Sequence, residues 1–193
     1  MNGTTSAPLA QSDATLVASA RRGDLYAWER IVRRYQEPVF RVAYLIVRDT
    51  ALAEAATQST FIRAYRALPS LDAEHALLPW LFRIAAGESR QQRKESGRPR
   101  SSSRPIEKPR GPHVPATSVP GAAAATKLTP AEREALNEAF DRLGEDDRLT
   151  IASRYLFGLS RPDAAAALAI ASSVIDERLD MALKRLRTRM AVH

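Results

Sequence analysis

Between Glu95 and Thr126 the sequence reads ESGRPRSSSRPIEKPRGPHVPATSVPGAAAAT, and this stretch divides the chain. Pro, Gly and Ser dominate it, and no apolar period survives. A segment of that kind cannot bury enough surface to offset its ordering entropy, so it reads as a flexible tether over 95–126. Its first half is rich in Arg and Lys, which suits either a solvated linker or a loose strap for phosphates. Two blocks remain, 15–94 and 127–193, each the size of a small domain; residues 1–14 read as a disordered N-terminus.

The first block carries helical periodicity throughout. After Asp24, a fitting N-cap, the apolar positions Leu25, Trp28, Ile31, Val32 and Tyr35 recur at helical spacing. Pro38 is expected to end or kink this helix, with a second stripe at Val39, Val42, Ala43 and Ile46. A third runs through Leu52, Ala55, Ala56, Ser59, Ile62 and Tyr65 and stops at Leu68-Pro69-Ser70. After a loop, Pro79 opens a fourth helix with Trp80, Leu81, Ile84 and Ala85 on one side. No segment alternates at period two, so the expected fold class is all-α, two small helical domains joined by a linker.

The second block is punctuated by caps. TPAE (Thr129–Glu132) is a capping box with Pro at the first helical position. Ala135, Leu136, Ala139, Phe140 and Leu143 face inward, and Gly144 is expected to supply a left-handed stop. Asp146 or Asp147 caps the next helix, which buries Ile151, Tyr155 and Leu156 and ends at Gly158. Ser160 caps a helix over 161–168, Ala169-Ile170-Ala171 turns the chain, and Ser172 caps a last helix reaching about Arg189.

That final pair has the make-up of a helix-turn-helix. Such a unit needs small residues where the helices cross, an apolar residue in the turn and apolar positions early in the second helix. Ala164, Ala165, Leu168, Ile170, Ile175 and Leu179 meet these needs, although a generic helical packing unit would show similar stripes. Ala169 stands where Gly is common, a cost of about 1 kcal/mol if the backbone turns left-handed. Lys184, Arg185, Arg187 and Arg189 near the end of the last helix suit both the helix dipole and phosphate contact. Arg154 and Arg161 lie to either side. Asp176 and Glu177 fall where a DNA reader would meet base edges; a carboxylate there repels phosphate but can accept from a cytosine amino group.

The totals point the same way. The formal net charge is +7, which favours a polyanionic partner. There is no Cys, which suits a reducing cytoplasm, and three scattered His offer no metal spacing. The N-terminus lacks a basic start followed by an apolar core, so no signal peptide is expected, and no apolar run approaches a membrane span. No nucleophile–base pair, phosphate-cradling glycine loop or metal motif is present; neither an enzyme nor a cofactor is expected.

Together these residues resemble bacterial sigma-70-type factors of the extracytoplasmic-function (ECF) group. DLYAWERIVRRYQEPVFRVAYLIVRD, AEAATQSTFIRAYRAL and PWLFRIAAGESRQQRK are similar to successive helices of their sigma-2 domain. RYLFGLS before the helix-turn-helix and ALKRLR at its end resemble sigma-4. The resemblance spans Leu16–Lys94 and Leu128–Arg189. It implies that 15–94 binds RNA polymerase core and the promoter −10 element, that 127–193 reads the −35 element, and that an anti-sigma factor is a further partner.

By position, the resemblance places Leu52, Glu54, Ala55, Gln58, Ser59 and Phe61 on or beside the core-binding helix. Asp72 and His75 would line a pocket for a flipped −10 base. Arg63, Arg66 and Arg83 would steady the strand, and Trp80 would stack or fill the core. In sigma-4 it implies Arg154, Arg161, Ser172, Ser173, Asp176, Glu177, Arg178, Lys184 and Arg185 for the −35 element. There are departures. The family usually has acids at Leu52, Ala55 and Ser59, Asn at Gly87, Asp at Gln91, and basic residues at Asp176 and Asp180. Two readings stay open: a divergent sigma factor, or a sigma-like regulator that occupies an anti-sigma or other protein without initiating transcription.

Overall fold

The structure is a computed structural model, and it describes residues 11–71, 76–97 and 129–190. Eight α-helices make up the described residues, with no strand among them. The first module comprises α1 (Asp13–Arg21), α2 (Leu25–Val47), α3 (Thr50–Ala67) and α4 (Leu77–Glu95), with a 3-10 turn at Leu68–Ser70. The second comprises α5 (Pro130–Asp141), α6 (Glu145–Ile151), α7 (Arg161–Leu168) and α8 (Ile175–Met190). The tether lies outside the described residues apart from Glu95–Gly97.

Local chemistry sets most of these boundaries. The Asp24 carboxylate accepts from the Tyr26 and Ala27 amides at 3.0 and 3.1 Å and starts α2. The capping box forms: Thr129 Oγ1 accepts from the Glu132 amide at 3.2 Å, and Glu132 Oε2 accepts from the Thr129 amide at 2.8 Å. Those bonds hold the Glu132 carboxyl below its ordinary range. Helix α1 was not distinguished by periodicity. It starts at Asp13, inside the stretch expected to be disordered, because Ser12 caps it and Asp13 binds Arg34 at 2.5 Å and the Tyr35 hydroxyl. Burial first, then the bond to Asp13, raises the Tyr35 pKa.

Five sequence expectations are corrected. Pro38 neither ends nor divides α2, which runs unbroken for 23 residues. Burial on both sides of it, of Ile31 and Tyr35 before and Val39, Val42 and Ile46 after, outweighs a proline cost of about 3 kcal/mol. Helix α4 starts at Leu77 rather than Pro79, which sits harmlessly in the first turn. Gly144, at φ −64°, is no left-handed stop but the N-cap of α6, so Asp146 and Asp147 become first-turn acids facing the helix dipole. Tyr155 is 57% exposed because a π-helical turn over Ala152–Leu156 rotates it away from the core. Ser172 makes no capping bond; a 3-10 turn, Ser172–Val174, leads into α8.

The helix-turn-helix forms where expected. Ser160 Oγ accepts from the Asp163 amide at 3.2 Å, and Ala169 takes the left-handed conformation at φ 55°. Ile170 closes the turn by donating to the Ala165 carbonyl at 3.0 Å. Ala169→Gly is therefore expected to stabilise the chain by about 1 kcal/mol, raising the melting temperature by about 2–4 °C in a calorimetric scan.

The two modules, whose relative placement the sequence leaves open, pack against each other. Leu149, Ala152, Leu159, Ala164, Ala167 and Ile175 of the second module join one apolar cluster with the first module's core. Phe157 meets Phe82 edge-to-face, ring centroids 5.6 Å apart. A second cluster, Ala139, Leu143, Ile151, Ala182 and Leu186, belongs to the second module alone.

Candidate nucleic-acid interface

Helix α8 has one buried side and one exposed side. Ile175, Ala182 and Leu186 are buried and fix one side of it. Ser172, Ser173, Val174, Glu177, Asp180, Lys184, Arg185, Arg187 and Arg189 are exposed along the other, with Asp176 and Arg178 half-buried. Acids lie at its start and bases at its end, the order the helix dipole favours.

The acid at the reading end is not alone. Arg161, at the start of α7, crosses the turn and its Nε lies 3.0 Å from Asp176 Oδ1. This pair sets a guanidinium beside the acid at the start of α8. Arg185 donates to both Asp147 oxygens at 2.8 Å. Arg154 folds inward and donates to the Leu159 carbonyl, and its Nε is buried with no partner among the described residues. Of the expected −35 contacts, Ser172, Ser173, Glu177 and Lys184 are thus exposed, Arg161 and Arg185 are held by carboxylates, and Arg154 is turned away.

In the first module, the outer face of α3 presents Glu54 and Gln58, with Leu52, Ala55 and Ser59 half-buried beside them. Leu52 packs on the core. Phe61 is buried, its ring 6.2 Å from Trp28 in an edge contact, so it supports the helix from behind. Arg66 and Arg83 are exposed, and Arg63 bridges to Glu88 of α4 at 2.7 Å. Trp80 is half-buried against the core. Asp72 and His75 lie outside the described residues. Gly87 leaves open space where a side chain would project.

Periodicity missed a cluster at the junction of the modules. The Arg148 guanidinium, in a residue only 7% exposed, donates through Nε and Nη2 to the Leu45 carbonyl at 3.2 and 3.0 Å and through Nη1 to the Leu143 carbonyl. Leu45 lies in the last turn of α2, where carbonyls lack partners within the helix. Around it, Arg48 pairs with Asp141 at 2.5 Å, and Glu145 binds Arg93 at 2.6 Å and Arg90 at 2.7 Å. Burial alone would raise the Glu145 carboxyl; the hydrogen bonds from Arg93 and Arg90 more than offset it and hold the pKa low. Burial, and then the Arg48 charge, lower the Arg148 pKa. One signal was present in the sequence: Arg148 shares a helical stripe with Ile151 and Ala152, an arginine on an apolar face.

Residues 31–98 match the family model of sigma-70 region 2. The ECF RNA polymerase sigma-E factor of Escherichia coli K12 is 30% identical over 165 residues, covering 80% of this chain and 82% of that protein. This chain belongs to the ECF sigma factors. A further match, the RNA polymerase sigma-H factor of Pseudomonas aeruginosa, is 33% identical over 88 residues, 46% of each chain. Among solved structures, CnrH in complex with the cytosolic domain of CnrY shares the fold at a TM-score of 0.68 and 21% identity, over 94% of this chain and 99% of that one. The sigma factor RpoE of Bartonella quintana, solved with the anti-sigma factor NepR, does so at 0.62 and 21%, over 85% and 96%. The match to sigma region 2 thus begins within α2 and takes in α3 and α4, and no helix among the described residues is long and apolar enough to cross a membrane.

Proposed function

We propose that this sigma factor binds RNA polymerase core through the outer face of α3 and reads promoter DNA at two points. The first module engages the −10 element, with Arg66 and Arg83 free to meet phosphates and Arg63 reaching them from its pair with Glu88. The helix-turn-helix engages the −35 element through Ser172, Ser173, Glu177 and the Arg161–Asp176 pair, with Lys184 on the DNA backbone. The observation that carries this reading is the exposed face of α8, held by a helix-turn-helix in a chain whose other module matches sigma region 2. The polymerase supplies the chemistry; this chain supplies recognition and stays in the cytoplasm with its DNA. The basic tether, 95–126, runs between the two points of contact, and an anti-sigma factor that covers α3 and α8 turns the protein off.

Run-off transcription with purified core and a library of promoter fragments tests the reading. Initiation from a small set of fragments, lost when the chain is omitted, supports it. Capture of a partner protein with no binding to core or DNA would establish the sigma-like regulator instead.

The α3 face also makes a quantitative prediction. It carries Ala55 and Ser59 where the resemblance implies acids, both half-buried at its edge. Restoring them as Ala55→Asp and Ser59→Glu is expected to tighten core binding by about two- to tenfold at low salt, the range of one or two exposed ion pairs. The gain should vanish in high salt when measured by fluorescence anisotropy. Leu52 is best left alone, because an acid there would also lose its packing on the core.

A further inference from the structure

We infer that Gly87 opens a gap in the outer face of α4 over which a DNA strand passes, its sugar–phosphate backbone lying closer to the helix than a side chain there would allow. The inference deepens the promoter-recognition reading and rests on it for the identity of the strand.

Nothing in the fold asks for glycine at this position. Gly87 lies well inside both ends of α4. Among the described glycines, Gly23, Gly97 and Gly158 have positive φ, so Gly87 makes no use of the left-handed region. A Cβ built there meets no atom within 4 Å among the described residues, so no neighbour crowds it either. Glycine inside a helix loses stability relative to alanine, and here neither packing nor backbone geometry offsets the loss. What a bare helix position still permits is the close approach of something from outside.

The surroundings say what approaches. Arg83 lies one turn before the gap and Lys94 two turns after it, both exposed. At about 1.5 Å per residue they flank Gly87 at about 6 and 10 Å along the axis. Arg63 of α3 adds a third cation: its Nη1 donates to Glu88 Oε1 at 2.7 Å, and its side chain stays 70% exposed. That contact also neutralises the acid next to the gap. Arg90, one turn further on, is taken by Glu145 at 2.7 Å. Glu95 is about 12 Å away along the axis and accepts from Gln91 Nε2 at 2.5 Å. The large exposed apolar side chains among the described residues, such as Tyr26, Ile62 and Met181, all lie off α4. This face thus offers spaced positive charge around a notch and no apolar surface, which suits a polyanionic strand rather than a protein partner. Contacts of this kind set the position of the strand and leave base reading to other groups. A side chain at 87 would stand between Arg83 and the strand's phosphates and hold the strand off.

Fluorescence anisotropy with the full chain and a fluorescein-labelled single strand of about 20 nucleotides and mixed sequence tests this. A single strand presents no major groove to α8. Gly87→Gln should weaken binding about three- to tenfold at about 0.05 M salt, and Arg83→Gln should do the same while lowering the salt slope by about one. The two together should cost little more than either alone, because both remove the same contact; Lys184→Gln on α8 should instead multiply with Gly87→Gln. Gly87→Ala should raise the melting temperature by a few degrees and weaken binding about twofold, so stability and affinity move in opposite directions. Unchanged or tighter binding by Gly87→Gln, or losses at 83 and 87 that multiply, overturns the inference. So does a parent chain with no affinity for the strand. The run-off assay decides the promoter-recognition reading separately: a chain that initiates, yet whose strand binding is indifferent to Gly87→Gln, keeps that function and loses only the gap.

Discussion

Replacing Arg148 by alanine is expected to destabilise the chain by about 2–4 kcal/mol, because the Leu45 and Leu143 carbonyls lose their donors in a place water reaches poorly. In a protein of this size that lowers the melting temperature by about 5–15 °C in a calorimetric scan. Removing the guanidinium also relieves repulsion from Arg48 and Arg93, while it gives up the attraction of Glu145 and Asp141. Two further variants separate charge from geometry. Arg148→Met keeps the apolar stem and should recover only the packing share. Arg148→Lys keeps the charge, but one ammonium cannot reproduce a planar fork that serves carbonyls on two elements, so it should recover less than half of the loss. A lysine variant as stable as the parent would mean that charge near the end of α2, rather than the fork, is what matters.

How much of this was legible in the sequence depended on how local each cause was. The Ser160 cap, the left-handed Ala169 and the Thr129–Glu132 capping box were readable because each satisfies backbone groups within four residues of itself. Gly144 misled because glycine is compatible with two roles, and the stop it was assigned proved unnecessary: α5 ends through Arg142 and Leu143 amides that bond back to Glu138 and Phe140. Tyr155 misled because periodicity assumes a constant twist, and a single π-helical turn changes the phase of everything after it. The acid at Asp176 looked like a lost DNA contact because its partner, Arg161, lies across a turn where no helical spacing connects them. The junction was the hardest to foresee. Arg148 and Leu45 are far apart in the chain, and the acceptor is a backbone carbonyl, which carries no residue identity to read. The two-module architecture was recoverable from pattern; the way its halves meet required coordinates.

Phe82→Ala should show the other half of that junction. The ring is fully buried, and it packs edge-on against Phe157 of the second module, with the ring planes 87° apart. Truncating it removes a large side chain from a dense core, and a loss of about 3–5 kcal/mol is expected from the transfer and cavity terms together. Most of that belongs to the first module itself, since Leu81, Ala85 and Ala86 are buried on the same helix. The part that belongs to the contact between modules is measurable separately. A double-mutant cycle with Phe157→Ala should give a coupling of about 0.5–1.5 kcal/mol, the range of a single aromatic pair. Chemical denaturation at low salt should show that coupling in full. At high salt the coupling should be unchanged, because the junction also holds one continuous apolar cluster that salt does not screen. An apolar contact has little salt dependence of its own, so a salt-dependent coupling between two phenylalanines would have to arise from the separation of the surfaces that carry them.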